Sequence, residues 1–168
     1  MASGGPPFDL QATHEGLEAL VRALRQEEDG KQLRKDLAKN MRTALRPGAA
    51  AAKSSVMAMA SAGLSHGPSL RSAVAKKIRP EIKLGGRWSG ARVKAFKTPN
   101  IRGFTNAPKR INRQGGWRTL TYGHEPWRTQ TGKPGWFDDS FVNDAAAYRA
   151  AVHEAMEDMA RRLAARGR

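Results

Sequence analysis

The sequence predicts an α+β protein in which long N-terminal and C-terminal helices pack on a small antiparallel β-sheet with a long basic loop. Apolar residues recur every three to four positions near both ends of the chain, which is typical of amphipathic helices. Between these segments, two short apolar stretches flank a glycine-rich connection, which indicates a β-hairpin. The stretch 98–116 shows no steady period and carries several cations, so we expect an extended basic loop there.

The chain begins with a Gly/Pro-rich leader over 1–7, which is expected to be flexible. Alternation of apolar and polar residues over 8–13 then predicts a short, half-buried strand. Leu17, Leu20 and Leu24 lie at helical spacing, so a short amphipathic helix is predicted over 16–26.

A second helix is predicted from about residue 31. Its apolar stripe contains Leu33, Leu37 and Met41, whereas Lys35, Lys39 and Arg42 lie outside that stripe. Because proline lacks an N–H and clashes with the preceding turn, Pro47-Gly48 is expected to break or kink the helix. The alanine-rich segment 49–62 is helical again in this prediction.

The middle of the chain contains shorter elements. After a turn cluster over 63–68, Ser69 is a suitable N-cap for a short helix over 70–78. Ile82 and Leu84 on one side, and Val93 and Phe96 on the other, frame the hairpin, and a further strand is predicted over 117–122.

The C-terminal helix has the clearest pattern in the sequence. Asn143 or Asp144 is expected to cap it. Its apolar stripe contains Tyr148, Val152, Met156, Met159 and Leu163, and its opposite face is charged.

Composition limits the class of protein. The 168 residues suit one domain, predicted over 8–168, yet Leu, Ile, Val and Phe together number only 27, about 16% of the chain. This share is below the roughly 20% that separates folded from disordered composition, so part of the chain is expected to order on a partner. The absence of cysteine excludes disulfides and Cys-ligated zinc. No apolar run approaches the ~18 residues of a membrane span, and no secretory signal opens the chain.

Positive charge is concentrated in the middle of the chain. Residues 31–118 hold 21 Lys and Arg residues and only two acids, Asp36 and Glu81. Such a segment favours a polyanionic neighbour, either nucleic acid or an acidic protein surface, although it can also be a solvated basic face.

The sequence contains no recognisable catalytic pattern. His153, Glu154 and Glu157 superficially resemble a helical zinc site, but the second histidine that this motif needs is replaced by Glu157. Ser65-His66 lacks both an acidic neighbour and a nucleophile elbow. We therefore predict no catalytic residues, no metal ligands and no cofactor, and we predict that the protein is not an enzyme. Residues that are distant in sequence can nevertheless assemble an active site.

Aromatic and basic residues alternate between 88 and 137. This pattern suits base stacking with cations on phosphates, and it equally suits a protein–protein contact. Core packing is the third explanation, to which we assign mainly Trp117, Trp127 and Trp136. The residues predicted to contact another subunit or DNA are Arg87, Trp88, Arg102, Phe104, Lys109, Arg110 and Arg113.

One stretch resembles a known family. It reads Trp117-Arg118-Thr119-Leu120-Thr121-Tyr122-Gly123, then Trp127 and Gln130, then Lys133-Pro134-Gly135-Trp136-Phe137. This is similar to the small neck proteins (head–tail connector or tail-completion proteins) of long-tailed actinobacteriophages, which commonly read Trp-Arg-His-Pro-Val-Phe-Gly and later Pro-Gly-Trp-Phe before a C-terminal helix. The order of elements matches over roughly 8–165. The chain departs from the family at 119–121, where it has Thr-Leu-Thr.

The resemblance implies a structural virion protein, assembled in the host cytoplasm and located in the neck between head and tail. It implies a homo-oligomeric ring whose partners are the connector or head-closure protein and the tail-tube or terminator protein, with transient contact with genomic DNA and no membrane. The residues that the family motif assigns to packing are Trp117, Tyr122, Gly123, Trp127, Gln130, Pro134, Gly135, Trp136 and Phe137. A neck ring and a tail terminator both fit. The alternative is a basic nucleic-acid-binding protein, motivated by the formal net charge of +15.

Overall fold

The computed structural model describes residues 14–60, 69–101, 105–121 and 124–166. It confirms the α+β class, with helices and two small antiparallel two-stranded sheets. The helices are α1 (His14–Gln26), α2 (Gly30–Met57), α3 (Leu70–Lys76), α4 (Ala107–Ile111) and α5 (Ala145–Arg166). The strands are β1 (Ile78–Lys83), β2 (Gly90–Ala95), β3 (Trp117–Thr121) and β4 (His124–Gln130). The predicted leader, the strand over 8–13 and the turn over 63–68 lie outside these residues.

The chain is organised as two compact units. Of the described residues, the first contains 14–47, 80–93 and 144–166, and the second contains those from 48 to 79 and from 94 to 143. The single domain predicted over 8–168 stays a prediction, because two such units can belong to one cooperative domain.

A three-helix cluster forms the core of the first unit. It joins buried leucines of α1 and α2 to the methionine-rich stripe of α5. The fully buried members include Leu20, Leu24, Leu37, Met156 and Met159. On the hairpin β1–β2, Ile82, Leu84 and Ala91 are partly buried against this cluster. The periodic apolar residues therefore bury their side chains as the sequence predicts, with the hairpin as the sheet on which the helices pack.

A tight turn over 27–29 brings α1 and α2 together. A Cβ atom at Gly30 would lie 1.9 Å from the Leu24 carbonyl oxygen, so only glycine fits at the start of α2. In the same turn, the Asp29 carboxylate accepts a hydrogen bond of 2.6 Å from Arg166 at the end of α5. This hydrogen bond lowers the pKa of the Asp29 carboxyl below its ordinary value of 3.8.

Of the predicted break or kink at Pro47-Gly48, the break is wrong, because α2 is continuous from Gly30 to Met57 with Pro47 inside. The kink stays a prediction. Leu45, Ala49, Ala52 and Val56 are all buried at helical spacing on both sides of the proline. Proline removes one backbone hydrogen bond, which costs free energy. This cost is smaller than the stabilisation from burial of the apolar stripe and from the high helix propensity of the four alanines at 49–52. The alanine-rich segment nevertheless ends its helix at Met57 and not at 62.

Two further expectations need correction. The short helix α3 ends at Lys76, since Ile78 already begins β1, and the Ser69 side chain makes no capping hydrogen bond. The segment 98–116 is not an extended loop throughout, because it contains α4. The Ala107 N–H at the start of α4 donates to the buried Thr98 hydroxyl oxygen at 3.0 Å, which ties the start of this segment to α4.

Replacing Pro47 by alanine should raise the free energy of unfolding by about 2 kcal/mol. The substitution restores an N–H donor in the middle of α2, and this gain exceeds the entropy that proline removes from the unfolded chain. Urea denaturation of the full chain measures the change. Arg46→Ala, at the exposed neighbouring position, is the control and should change stability by less than about 0.5 kcal/mol. An unchanged or lower stability of Pro47→Ala would contradict this account.

The contribution of Asp29 to stability should depend on pH. Because its pKa is lowered in the folded protein, its contribution is complete above the unfolded pKa and is lost as the pH falls through the folded pKa. Asp29→Asn, which keeps a good N-cap residue, should therefore be less stable than the wild type at pH 7 and equal to it in strong acid. Denaturation at several pH values measures this, with the exposed neighbour Glu28→Gln as control. A difference that persists at low pH would contradict the assignment to the ion pair.

Candidate functional site

The Pro-Gly-Trp-Phe stretch forms a turn that is fixed by hydrogen bonds from distant parts of the second unit. Gly135 has a φ of +78°, a conformation that favours glycine. Its N–H donates to the Asn112 side-chain oxygen at 2.8 Å, and the Ser55 hydroxyl donates to the Trp136 carbonyl oxygen at 3.0 Å. The turn is therefore anchored to both α2 and the end of α4.

Trp136 is the largest buried side chain in the described residues, with 1% of its surface exposed. Its ring contacts Phe137 edge-to-face, with 5.4 Å between ring centroids, and Phe137 contacts Phe141 in the same way at 5.0 Å. The indole N–H of Trp136 is buried without a hydrogen-bond partner in this part of the chain. The motif residues Pro134 and Gln130 are exposed, whereas Phe137 is half-buried and so is Trp117.

The hairpin of β3 and β4 precedes this turn. Strand register pairs Leu120 with Trp127 and Arg118 with Thr129, so these four residues share one face of the hairpin. We call this face, which contains Arg118, Leu120, Trp127 and Thr129, the Trp127 face. The Arg118 guanidinium lies 5.7 Å from the centroid of the Trp127 ring. Every residue of β4 is exposed, so this strand has no buried face.

The expectation that Trp127 packs in the interior is wrong, because 49% of its surface is exposed. It belongs to a two-stranded sheet, and in the described residues no third strand or helix covers its face. β4 itself was missed in the sequence because its only large apolar residue is Trp127 and it contains Pro126, which argues against a strand.

The predicted contact residues Arg87 and Trp88 lie at the tip of the hairpin β1–β2. Trp88 is 64% exposed, and the Arg87 guanidinium lies 5.4 Å from its ring centroid. Gly85 and Gly86, both with positive φ, form the connection that presents them. The tip therefore offers a cation and an aromatic ring to solvent.

The other predicted contacts belong to the second unit. Lys109 and Arg113 are exposed on and beside α4, whereas Arg110 is half-buried. Arg102, Phe104, Tyr122 and Gly123 lie outside the described residues. The structure thus places Arg87 beside Trp88 in the first unit. It places Lys109, Arg110 and Arg113 on or beside α4 in the second unit.

A row of cations on α2 was not singled out as a site in the sequence. It contains Lys31, Arg34, Lys35, Lys39, Arg42 and Arg46, and all of these except the half-buried Arg34 are exposed. We call it the α2 basic stripe. The three- and four-residue spacing of these cations was the signal that could have found it.

The first unit also contains a cavity of about 290 Å³. Apolar residues such as Leu17, Met41 and Val152 line it together with His14, Tyr148 and Arg149. Burial raises the pKa of the Tyr148 phenol, and the neighbouring Asp144 carboxylate raises it further, so this phenol is neutral at pH 7. His14 lies 3.6 Å from Glu18 on the same helix.

Compared with protein-family models, curated proteins and solved structures, the chain matches none of them. Over the described ranges, no group of three or more His, Asp or Glu side chains is arranged to hold a metal ion. None of the helices in those ranges has the length and apolar character needed to cross a bilayer.

Acrylamide quenching of fluorescence should distinguish the exposed tryptophan side chains from the buried one. In dilute protein, Trp88→Phe and Trp127→Phe should each remove a strongly quenched component, because both rings are exposed. Trp136→Phe should leave those components and lower the free energy of unfolding by about 1–3 kcal/mol, since Phe does not fill the volume of Trp. Equal protection of Trp127 and Trp136 in dilute protein would contradict the exposure of the Trp127 face.

Proposed function

We propose that the protein is a non-catalytic subunit of an oligomeric ring in the neck of a long-tailed phage, where it joins the DNA-filled head to the tail. The observation that carries the proposal is the exposed hairpin β3–β4. It lies in the same stretch of sequence that resembles the neck proteins, and its Trp127 face is uncovered in the described chain.

β4 is exposed along its whole length, whereas Trp117 and Leu120 of β3 are half-buried. A two-stranded hairpin with so little cover is only marginally stable in water. β4 is seven residues long, which corresponds to about 23 Å of strand. An exposed tryptophan beside an arginine is the combination that dominates protein–protein hot spots. The Trp127 face therefore has both a physical need for cover and the side chains that a neighbouring subunit recognises.

The partner of this surface is better placed on the face of the hairpin than along its edge. Pro126 has no N–H to donate, so β4 is a poor template for a further strand. Side-chain packing on Trp127, with Arg118 beside it, is the mode of contact that the geometry supports. The anchored Pro-Gly-Trp-Phe turn gives the hairpin a fixed base on its own subunit.

The oligomer is tested by light scattering and electron microscopy of the purified full chain. We expect rings, and we expect Trp127→Glu to abolish them because the change places a carboxylate in the centre of the contact. Val142→Glu is the matched control, since Val142 is 71% exposed in the second unit and outside the hairpin. Rings that persist in Trp127→Glu would overturn the role of the hairpin.

The location is tested on the particles of the phage that encodes the chain. We expect the protein in purified virions and a specific label at the neck. A chain that is monomeric at all concentrations and absent from virions would refute the proposal. Capture experiments with the tail-tube protein and with the connector protein then distinguish a tail terminator from a neck ring.

A further inference from the structure

The α2 basic stripe lies in the first unit. Its six cations fall within about 140° of the helix circumference at 100° per residue, over about 22 Å of helix. None of them forms an ion pair in the part of the chain that is described. Among their side chains, only that of Arg34 forms a hydrogen bond within the described residues, from its Nε to the Gly30 carbonyl oxygen at 3.1 Å.

The one acidic residue of α2, Asp36, lies beside this stripe, about 60° from Lys39 at 100° per residue. Asp36 accepts a hydrogen bond from the Gln32 side chain at 3.0 Å and lies 3.9 Å from the Arg162 guanidinium on α5. Its charge is therefore partly neutralised by Arg162. The six cations of the stripe outnumber this one acid, so α2 carries a net positive charge from Lys31 to Arg46.

The stripe is also concave. Ala38 is short and lies between Lys31, Arg34, Lys35 and Arg42, and these five residues line a groove of about 340 Å³. Four cationic side chains around a shallow depression can contact several anionic oxygens at once.

We propose that the α2 basic stripe binds the phosphate backbone of duplex DNA without reading its sequence. The stripe contains no aromatic residue, and neither does the rest of α2, so it lacks the platforms on which single-stranded bases stack. It also lacks exposed apolar anchors, which an interface with an acidic protein needs. The stripe presents only positive charge to a partner. Positive charge is enough for contacts with phosphate oxygens.

The length of the stripe fits a duplex. At about 22 Å it exceeds the roughly 12 Å width of the major groove, so its two ends can contact phosphates of both strands. This inference does not depend on the neck role, because it uses only the charge and geometry of α2.

Fluorescence anisotropy of a labelled 20-base-pair duplex, measured with the full chain over a series of salt concentrations, tests the proposal. The triple variant Lys31→Gln, Lys35→Gln, Arg42→Gln should bind at least about tenfold more weakly at low salt and reduce the slope of log affinity against log salt by about 3. Glutamine preserves helix propensity, and circular dichroism checks the fold.

The matched control is Lys76→Gln, Lys77→Gln, Lys97→Gln, which removes the same charge from exposed positions of the second unit. It should bind within about twofold of the wild type. Two duplexes of unrelated sequence should bind equally, and a single strand of the same length more weakly.

Four results would overturn the proposal. These are equal losses in the two triple variants, tighter binding of single-stranded DNA, no binding of the duplex at low salt, and binding of polyglutamate that the duplex does not displace. The last result would assign the stripe to an acidic protein surface.

Discussion

Large apolar side chains are scarce in this chain, and their placement determines which parts of the structure are self-sufficient. Among the described residues, 12 of the 22 buried apolar side chains lie in the cluster between α1, α2 and α5. The hairpin β1–β2 shares this cluster through three side chains. Little apolar material is left for the second unit, whose order relies more on specific hydrogen bonds, such as those of Thr98, Asn112 and Ser55. The uncovered hairpin β3–β4 is the result of this distribution.

The helix α2 carries both buried apolar residues and exposed cations. Buried apolar residues lie along it from Leu33 to Val56, and six cations lie beside and partly between them from Lys31 to Arg46. The same helix that contributes to the core thus carries the charged surface, so the backbone that presents these cations is already ordered. A basic loop of similar charge would have to lose conformational entropy before it contacted a polyanion.

Sequence patterns sufficed where burial is periodic. The stripes of α1 and α5 and the hairpin around Gly85-Gly86 were predictable, since their apolar spacing reflects the side on which they pack. Elements that depend on tertiary hydrogen bonds or on strand pairing were not predictable. The five-residue helix α4 depends on Thr98 and β4 on its pairing with β3, and neither has a periodic signal of its own. The continuity of α2 through Pro47 was missed because local propensity cannot show burial on both sides of a proline. The exposed position of Arg87 and Trp88 at a glycine-containing tip was predictable, and their contact role stays a prediction. The exposure of Trp127 depends on what the rest of the fold leaves uncovered.

The composition of β4 has a consequence for how the polypeptide behaves before it meets a partner. Glu125, Pro126 and Arg128 interrupt the strand with charges of both signs and a missing donor. Natural proteins use these features at sheet edges to prevent runaway cross-β stacking. These features make β4 a poor template for cross-β stacking, even though the same strand exposes the large aromatic ring of Trp127.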